Sequence, residues 1–243
     1  MKQYFKIIFA FMFLITLPNK SFAVNFTGEA TEYKITMTYL ELCDSTSTLS
    51  SCNNPVVIGT GTSGLIDIAN TTEGAQAAAY GKLDKAPFGK SYPMYQVTMK
   101  REIQIAGTVS DGTNTCRTST DNASSYAKNR QGATAGTIET VTLYMAFVDT
   151  SLDSQVNSVT AGNGLGTSRA AGTVTSGDEY FEYRGSFTQP VLLEPGRIPT
   201  IKLAFGTVSA LGYMGANGGC ATAGDTDQGL YGDKPDVTAT VIY

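Results

Sequence analysis

Apolar positions along this chain recur with a period of two. Tyr33, Ile35, Met37 and Tyr39 alternate with Lys34, Thr36 and Thr38, which predicts a half-buried strand running into Cys43. Pro55-Val56-Val57-Ile58 is a short buried run stopped by Gly59-Thr60-Gly61, and Leu65, Ile66 and Ile68 follow after Gly64. Tyr95, Val97, Met99, Ile103 and Ile105 share one phase, with Arg101 intruding, and that run ends at Gly107. Val141, Leu143, Met145 and Phe147 share a face, and further strands are expected over 180–187 and 198–205. The last has Val237, Ala239, Val241 and Tyr243 against Thr238, Thr240 and Ile242. Only 72–81 and 124–130 suit a helical turn or two.

About eight to ten strands separated by Gly, Asn, Asp, Ser and Pro predict an all-β fold. The expected form is an antiparallel β-sandwich of Ig-like or jelly-roll-like kind. The stretch 157–177 has five glycines and no aromatic residue, and reads as a long exposed loop. It is also where two smaller sandwiches would divide. The reading adopted is one elaborated domain over 24–243.

The first 23 residues have another character. Lys2 and Lys6 precede an apolar run from Ile7 to Leu17, and Ser21-Phe22-Ala23 gives a small-residue exit. This is the layout of a secretory signal peptide. The run is too short for a bilayer helix, which needs about 20 apolar residues, so an exported protein is expected rather than an integral membrane protein. Four cysteines in an exported chain read as two disulfides. Three pairings exist. Cys43 and Cys52 flank a Ser/Thr-rich loop and form the natural local pair, which leaves Cys116 with Cys220; that long bridge would argue for one domain.

Composition removes several chemistries. The chain has no histidine, which excludes a Ser-His-Asp triad and every His-ligated metal site. Charged residues make up 16%, with net charge −4, and the three lysines of the leader leave the remainder more acidic. An acidic surface without a basic cluster disfavours nucleic acid. Paired acids at Asp178-Glu179-Glu182, and Asp149 with Asp153, are the only acid/base candidates. Their plainer reading is a solvated strand edge, so no catalytic residue is assigned and no enzyme is expected. Asp225, Asp227 and Asp233 lie in a glycine-spaced acidic run that can fold around calcium, the one cofactor the sequence suggests.

The closing segment Gly232-Asp233-Lys234-Pro235-Asp236-Val237-Thr238-Ala239-Thr240-Val241-Ile242-Tyr243 resembles the final strand of chaperone–usher-type pilin and adhesin subunits. The resemblance implies a surface-fibre subunit whose partners are further copies, other surface proteins or a cell-surface glycan. On that reading Val24 and Phe26 form a donor segment at strand spacing, while Val237, Val241 and Tyr243 are buried in a sheet of this subunit or of a neighbour. The same terminus is similar to the last strand of outer-membrane barrels. Ala86-Pro87-Phe88-Gly89-Lys90-Ser91-Tyr92 is similar to the strand entry of prealbumin-like and other Ig-like modules of bacterial surface proteins. The expected function is therefore that of a secreted or cell-surface structural or adhesive protein, with a carbohydrate- or calcium-binding module as the alternative.

Overall fold

A computed structural model of the chain describes residues 24–70, 81–110, 112–120, 129–130, 132–145, 156–159, 169–171, 179–215, 220 and 229–243. The expected signal peptide and most of both expected helical turns lie outside these residues. Within them the chain is all-β, antiparallel but for one contact, and closed by two disulfides. The described residues form seventeen strands. β1 (Val24–Gly28), β2 (Ala30–Ile35), β3 (Met37–Cys43), β4 (Val56–Thr60) and β5 (Ile66–Asp67) are followed by a 3₁₀ turn at Leu83–Lys85. β6 (Ser91–Lys100), β7 (Glu102–Ser110), β8 (Thr115–Arg117), β9 (Asn129–Arg130) and β10 (Val141–Tyr144) come next. Then follow β11 (Val156–Val159), β12 (Arg169–Ala171), β13 (Tyr180–Leu192), β14 (Thr200–Gly206), β15 (Leu211–Gly215), β16 (Gly229–Gly232) and β17 (Asp236–Ile242).

These strands make three sheets. The largest runs β12-β11-β13-β6-β3-β4, with β17 joined to β13 and β14 to β17. A second runs β10-β7-β2-β5 with β8 on β7, and a third runs β1-β15-β16-β9. The one parallel contact is Phe187 opposite Ala239.

The strand count exceeds the expected eight to ten in part through short strands of two to five residues such as β5, β8, β9 and β12, and in part because two long alternating runs each change sheets in mid-course. The run from Tyr33 to Cys43 breaks at Thr36, leaving β2 in one sheet and β3 in the other. The run from Tyr95 to Ile105 breaks at Arg101, dividing β6 from β7 in the same way. The two breaks meet, because the Lys100 N–H donates to the Thr36 carbonyl (2.9 Å). Strands that pass together from one sheet to the other form the corner of a sandwich. Arg101 is buried there, its Nε donating to the Met145 carbonyl (2.9 Å) and its backbone N–H to the Glu179 carbonyl (2.9 Å). The intruding charge in the apolar phase is thus the corner itself.

Within 157–177 the described residues 157–159 and 169–171 belong to β11 and β12, which pair with Asn157 opposite Ala171 and Val159 opposite Arg169, and β11 continues onto β13; the rest of the expected loop lies outside the described residues.

β13 carries a bulge between Ser186 and Val191 in its pairing with β6. Pro190 lies inside it and has no N–H for the ladder, which is where a strand tolerates proline. The end of β17 fills the gap. The Tyr243 hydroxyl donates to the Pro190 carbonyl (3.0 Å) and accepts from the Leu192 N–H (2.7 Å), and Gln189 Nε2 donates to the Val241 carbonyl (2.7 Å). Val241 is buried and Val237 half-buried, as the alternation predicts. Tyr243 departs from it, being 44% exposed, with the Arg197 guanidinium 4.7 Å from its ring centre. Its hydroxyl rather than its ring anchors the chain end.

A carboxylate fixes the edge of the second sheet. Asp67 Oδ1 accepts from the backbone N–H groups of Tyr33 (3.2 Å) and Ala69 (3.1 Å), and Oδ2 from the Asn70 side-chain amide (2.8 Å). Burial works to raise its pKa, but these hydrogen bonds outweigh it and hold the carboxyl below its usual value. A lowered acid pKa stabilises the folded state above the unfolded value, about 3.9, and the gain is lost as pH falls through the folded value. Asp67→Ala is therefore expected to be less stable than the parent at neutral pH. Urea melts at stepped pH should show that gap closing below pH ~4; a gap independent of pH would assign the loss to packing alone.

Candidate functional site

The largest sheet uses its two faces differently, and each face holds a group of side chains of interest. On the inner face, alternate residues of three neighbouring strands point toward the rest of the core: Leu40 and Leu42 of β3, Tyr95, Val97 and Met99 of β6, and Phe181, Tyr183 and Phe187 of β13. Opposite them stand Tyr33 and Ile35 of β2 and the alternate residues Ile201, Leu203 and Phe205 of β14. These walls do not meet. They enclose an apolar cavity of ≈ 240 Å³.

The aromatic residues give the cavity its shape. Tyr95 lies against Phe187 (ring centres 5.2 Å apart, planes at 51°) and Tyr183 (6.5 Å). Gly185 makes room for this group, since a Cβ there would run into the Tyr95 ring. Burial, and behind it the Tyr183 hydroxyl, pushes the Tyr95 phenol far above its usual pKa. Tyr33 is fully buried and donates to the Asp233 carbonyl (2.9 Å). Burial first, and then the Asp233 carboxylate, likewise raises its pKa. All of these phenols stay neutral at physiological pH.

The lining runs along β14 and also across the sheet from Ile58 of β4 to Val237 of β17. β14 and β17 run antiparallel with Thr200 opposite Ile242 and Gly206 opposite Asp236. Lining residues come from both ends of this ribbon: Ile198 and Thr200 at one, Phe205, Val237 and Lys234 at the other. The five steps from Thr200 to Phe205 cover roughly 17 Å at the usual strand rise. Ile198 is 54% exposed, so the first end meets solvent. At the second end Lys234 is half-buried, with its ammonium 5.2 Å from the centre of the Tyr183 ring. Lys234 is the sole charged residue lining the cavity among the described residues.

The outer face of the same sheet is buried and polar. Glu41, Gln96 and Arg184 stand directly opposite one another on β3, β6 and β13. Gln96 Nε2 donates to Glu41 Oε2 (2.7 Å), Arg184 Nη1 donates to Gln96 Oε1 (2.8 Å), and Arg184 Nε donates to the Leu49 carbonyl (2.8 Å). Glu182 lies 3.9 Å from Arg184 and is fully buried. Leu49 belongs to the loop closed by Cys43–Cys52, so the short disulfide holds a cover over the row. The sequence reading placed Glu182 on a solvated edge. That is overturned, because β13 is an interior strand between β6 and β11. The row itself was missed: its members are scattered over 144 positions and only strand register brings them together.

The other expected site residues are placed as follows. Both disulfides form as paired in the sequence, Cys43–Cys52 and Cys116–Cys220. Val24 and Phe26 lie on β1, opposite Gly215 and Tyr213 of this chain's own β15. Of the calcium candidates, Asp225 and Asp227 fall outside the described residues, as do Asp149, Asp153 and Asp178. Asp233 is described: Oδ1 accepts from the Lys234 N–H (2.7 Å), and burial, opposed by that bond and the Lys234 charge, raises its pKa. No group of three metal-ligating acids or cysteines occurs among the described residues.

Fold and site together define an all-β, sandwich-like protein with two disulfides and an apolar space between its layers. No protein-family model, curated protein or solved structure matches the chain.

Proposed function

We propose that this chain is an exported protein that acts by binding rather than by catalysis, and that the cavity between its layers is the binding site. The observation carrying this reading is the ≈ 240 Å³ of unfilled space walled by well-placed apolar side chains. Protein interiors are normally packed to crystal density, and an open, shaped apolar space is the usual form of a small-molecule site. Two disulfides suit an oxidising compartment, and none of the described helices is long and apolar enough to cross a membrane. The same lining argues against a sugar as occupant, since burying hydroxyls without partners costs free energy.

The test is binding of a polarity-sensitive apolar dye to the full chain with its disulfides closed. Saturable binding is expected, and Leu203→Trp, which fills the cavity from half-buried β14, should abolish it while the melting temperature holds. A parent protein that leaves the dye dark would overturn the reading.

A second reading is favoured by a separate observation. Among the described residues β14 pairs with β17 only, and Ile198, Ile242 and Tyr243 are exposed at the end of that ribbon. Such an edge can accept a further strand, which suits a surface structural or adhesive protein and, in its sharpest form, a self-assembling fibre subunit. Negative-stain microscopy of the concentrated protein should then show polymers. Deleting Val24 to Gly28 should dissolve them only if β1 leaves β15 to act as the donor.

A further inference from the structure

We infer that the cavity takes one small, uncharged, largely apolar molecule that carries a carbonyl or similar acceptor oxygen, held by hydrogen bonds from the hydroxyls of Tyr95 and Tyr183. The inference rests on the binding reading above and adds the chemical class of the ligand.

Two hydroxyls lead to it. Tyr95 and Tyr183 both line the cavity and are buried. Tyr95 pairs with Gly185 and Tyr183 with Val97, so the two tyrosines stand diagonally on one face of the sheet. Diagonal neighbours lie within reach of aromatic side chains. The Tyr95 ring leans over Gly185, where a Cβ would collide with its hydroxyl. Among the described residues neither hydroxyl has a hydrogen-bond partner, yet neither is sealed off as the unpartnered Tyr92 hydroxyl is. Burial raises the pKa of both phenols, so both keep a proton to donate. Buried hydroxyls without partners cost free energy. A ligand oxygen within their reach removes that cost.

The other polar groups of the lining do not compete for it. The Tyr33 hydroxyl donates to the Asp233 carbonyl (2.9 Å), and Thr200 is exposed at the outer end. The Lys234 ammonium lies over the Tyr183 ring and acts on the Asp233 carboxyl, while Asp236 acts on the Tyr183 phenol. An anionic ligand would meet these two carboxylates. A cationic one would shed its water into a lining without a carboxylate, because neither Asp233 nor Asp236 lines the cavity. An uncharged ligand incurs neither cost. Volume sets its size: a cavity of about 150 Å³ holds one benzene, so ≈ 240 Å³ corresponds to about ten carbons.

The experiment is displacement of the apolar dye from the full, disulfide-closed chain. The competitors share the tetralin frame: the ketone 1-tetralone, tetralin itself, 1-aminotetralin as its cation and tetralin-1-carboxylate. 2-Octanone, 1-octene, octylammonium and octanoate repeat the comparison on an open chain. On at least one frame the ketone should displace the dye saturably, with both ions more than about tenfold weaker. Tyr95→Phe/Tyr183→Phe should weaken that ketone about tenfold and leave the matching hydrocarbon unchanged. Its melting temperature should be no lower than the parent's, since the hydroxyls removed have no partner to lose.

Equal losses for ketone and hydrocarbon would overturn the role of the two hydroxyls, and a lower melting temperature would show that they already had partners. Either ion binding as tightly as the ketone would overturn the uncharged class. If the dye binds but neither ketone displaces it, the ligand class is wrong and the cavity reading stands. If the dye stays dark, both fall together.

Discussion

Removing the Cys116–Cys220 bridge is expected to lower the stability of this protein by about 4.7 kcal/mol. The bridge closes a loop of 104 residues, and the cost comes from the freedom the unfolded chain regains when that loop opens. Cys43–Cys52 closes only 9 residues, which corresponds to about 2.6 kcal/mol on the same argument. The long bridge also has a local task. Cys116 lies on β8, added to the edge of the second sheet, and the Cys220 carbonyl accepts from the Gly132 N–H (3.1 Å). Urea melts of the Cys116→Ala/Cys220→Ala and Cys43→Ala/Cys52→Ala proteins compare the two directly. A larger loss from the short bridge would show that cover of the buried polar row, not loop closure, dominates.

Replacing Arg184 by leucine should cost about 3–5 kcal/mol, because it strands a buried charge. Arg184 is 1% exposed and Glu182 fully buried, and the guanidinium serves Gln96, the Leu49 carbonyl and Glu182 together. Taking it away removes the cation 3.9 Å from the buried Glu182 carboxylate. The paired variant Arg184→Leu/Glu182→Leu removes both members of this ion pair, leaving Glu41 with its Gln96 hydrogen bond, and should recover part of the loss, since buried ion pairs replaced by apolar residues of similar volume are often neutral. A double-mutant cycle by denaturant melts measures this. If the double variant is no more stable than Arg184→Leu, the charge argument fails and the side chain matters for its volume.

Both results probe features that the sequence revealed unequally. The disulfide pairing was legible because one cysteine pair is local and four cysteines then leave a single remainder. The Arg184 row was not legible. Glu41, Gln96 and Arg184 each occupy the polar phase of an alternating strand, which ordinarily means a solvated face. The loop held by Cys43–Cys52 reaches that face, where the Leu49 carbonyl accepts from Arg184 Nε, and the face is interior there.

The cavity shows the same division. Each of its walls is visible as an apolar phase: Tyr95, Val97 and Met99 in β6, Ile201, Leu203 and Phe205 in β14. The space between them is not, because a void is a property of how two surfaces fit and has no period. Lys234 next to Asp233 read as part of an acidic run, and its place at the cavity end depends on the route of the chain into β17.

The sequence by itself determined what depends on neighbours in the chain: strand period, the apolar phase of each strand, the glycine and proline breaks, and the cysteine count with its short local pair. Tertiary structure decided what depends on distant partners. It turned the corner at Thr36 and Arg101, enclosed β13 and its Glu182, paired β1 with β15 and left the core short of full packing. The physical reason is that alternation records which side of a strand is apolar, while register, sheet membership and burial of the polar side are settled by contacts between segments up to two hundred residues apart, as between Tyr33 and Asp233.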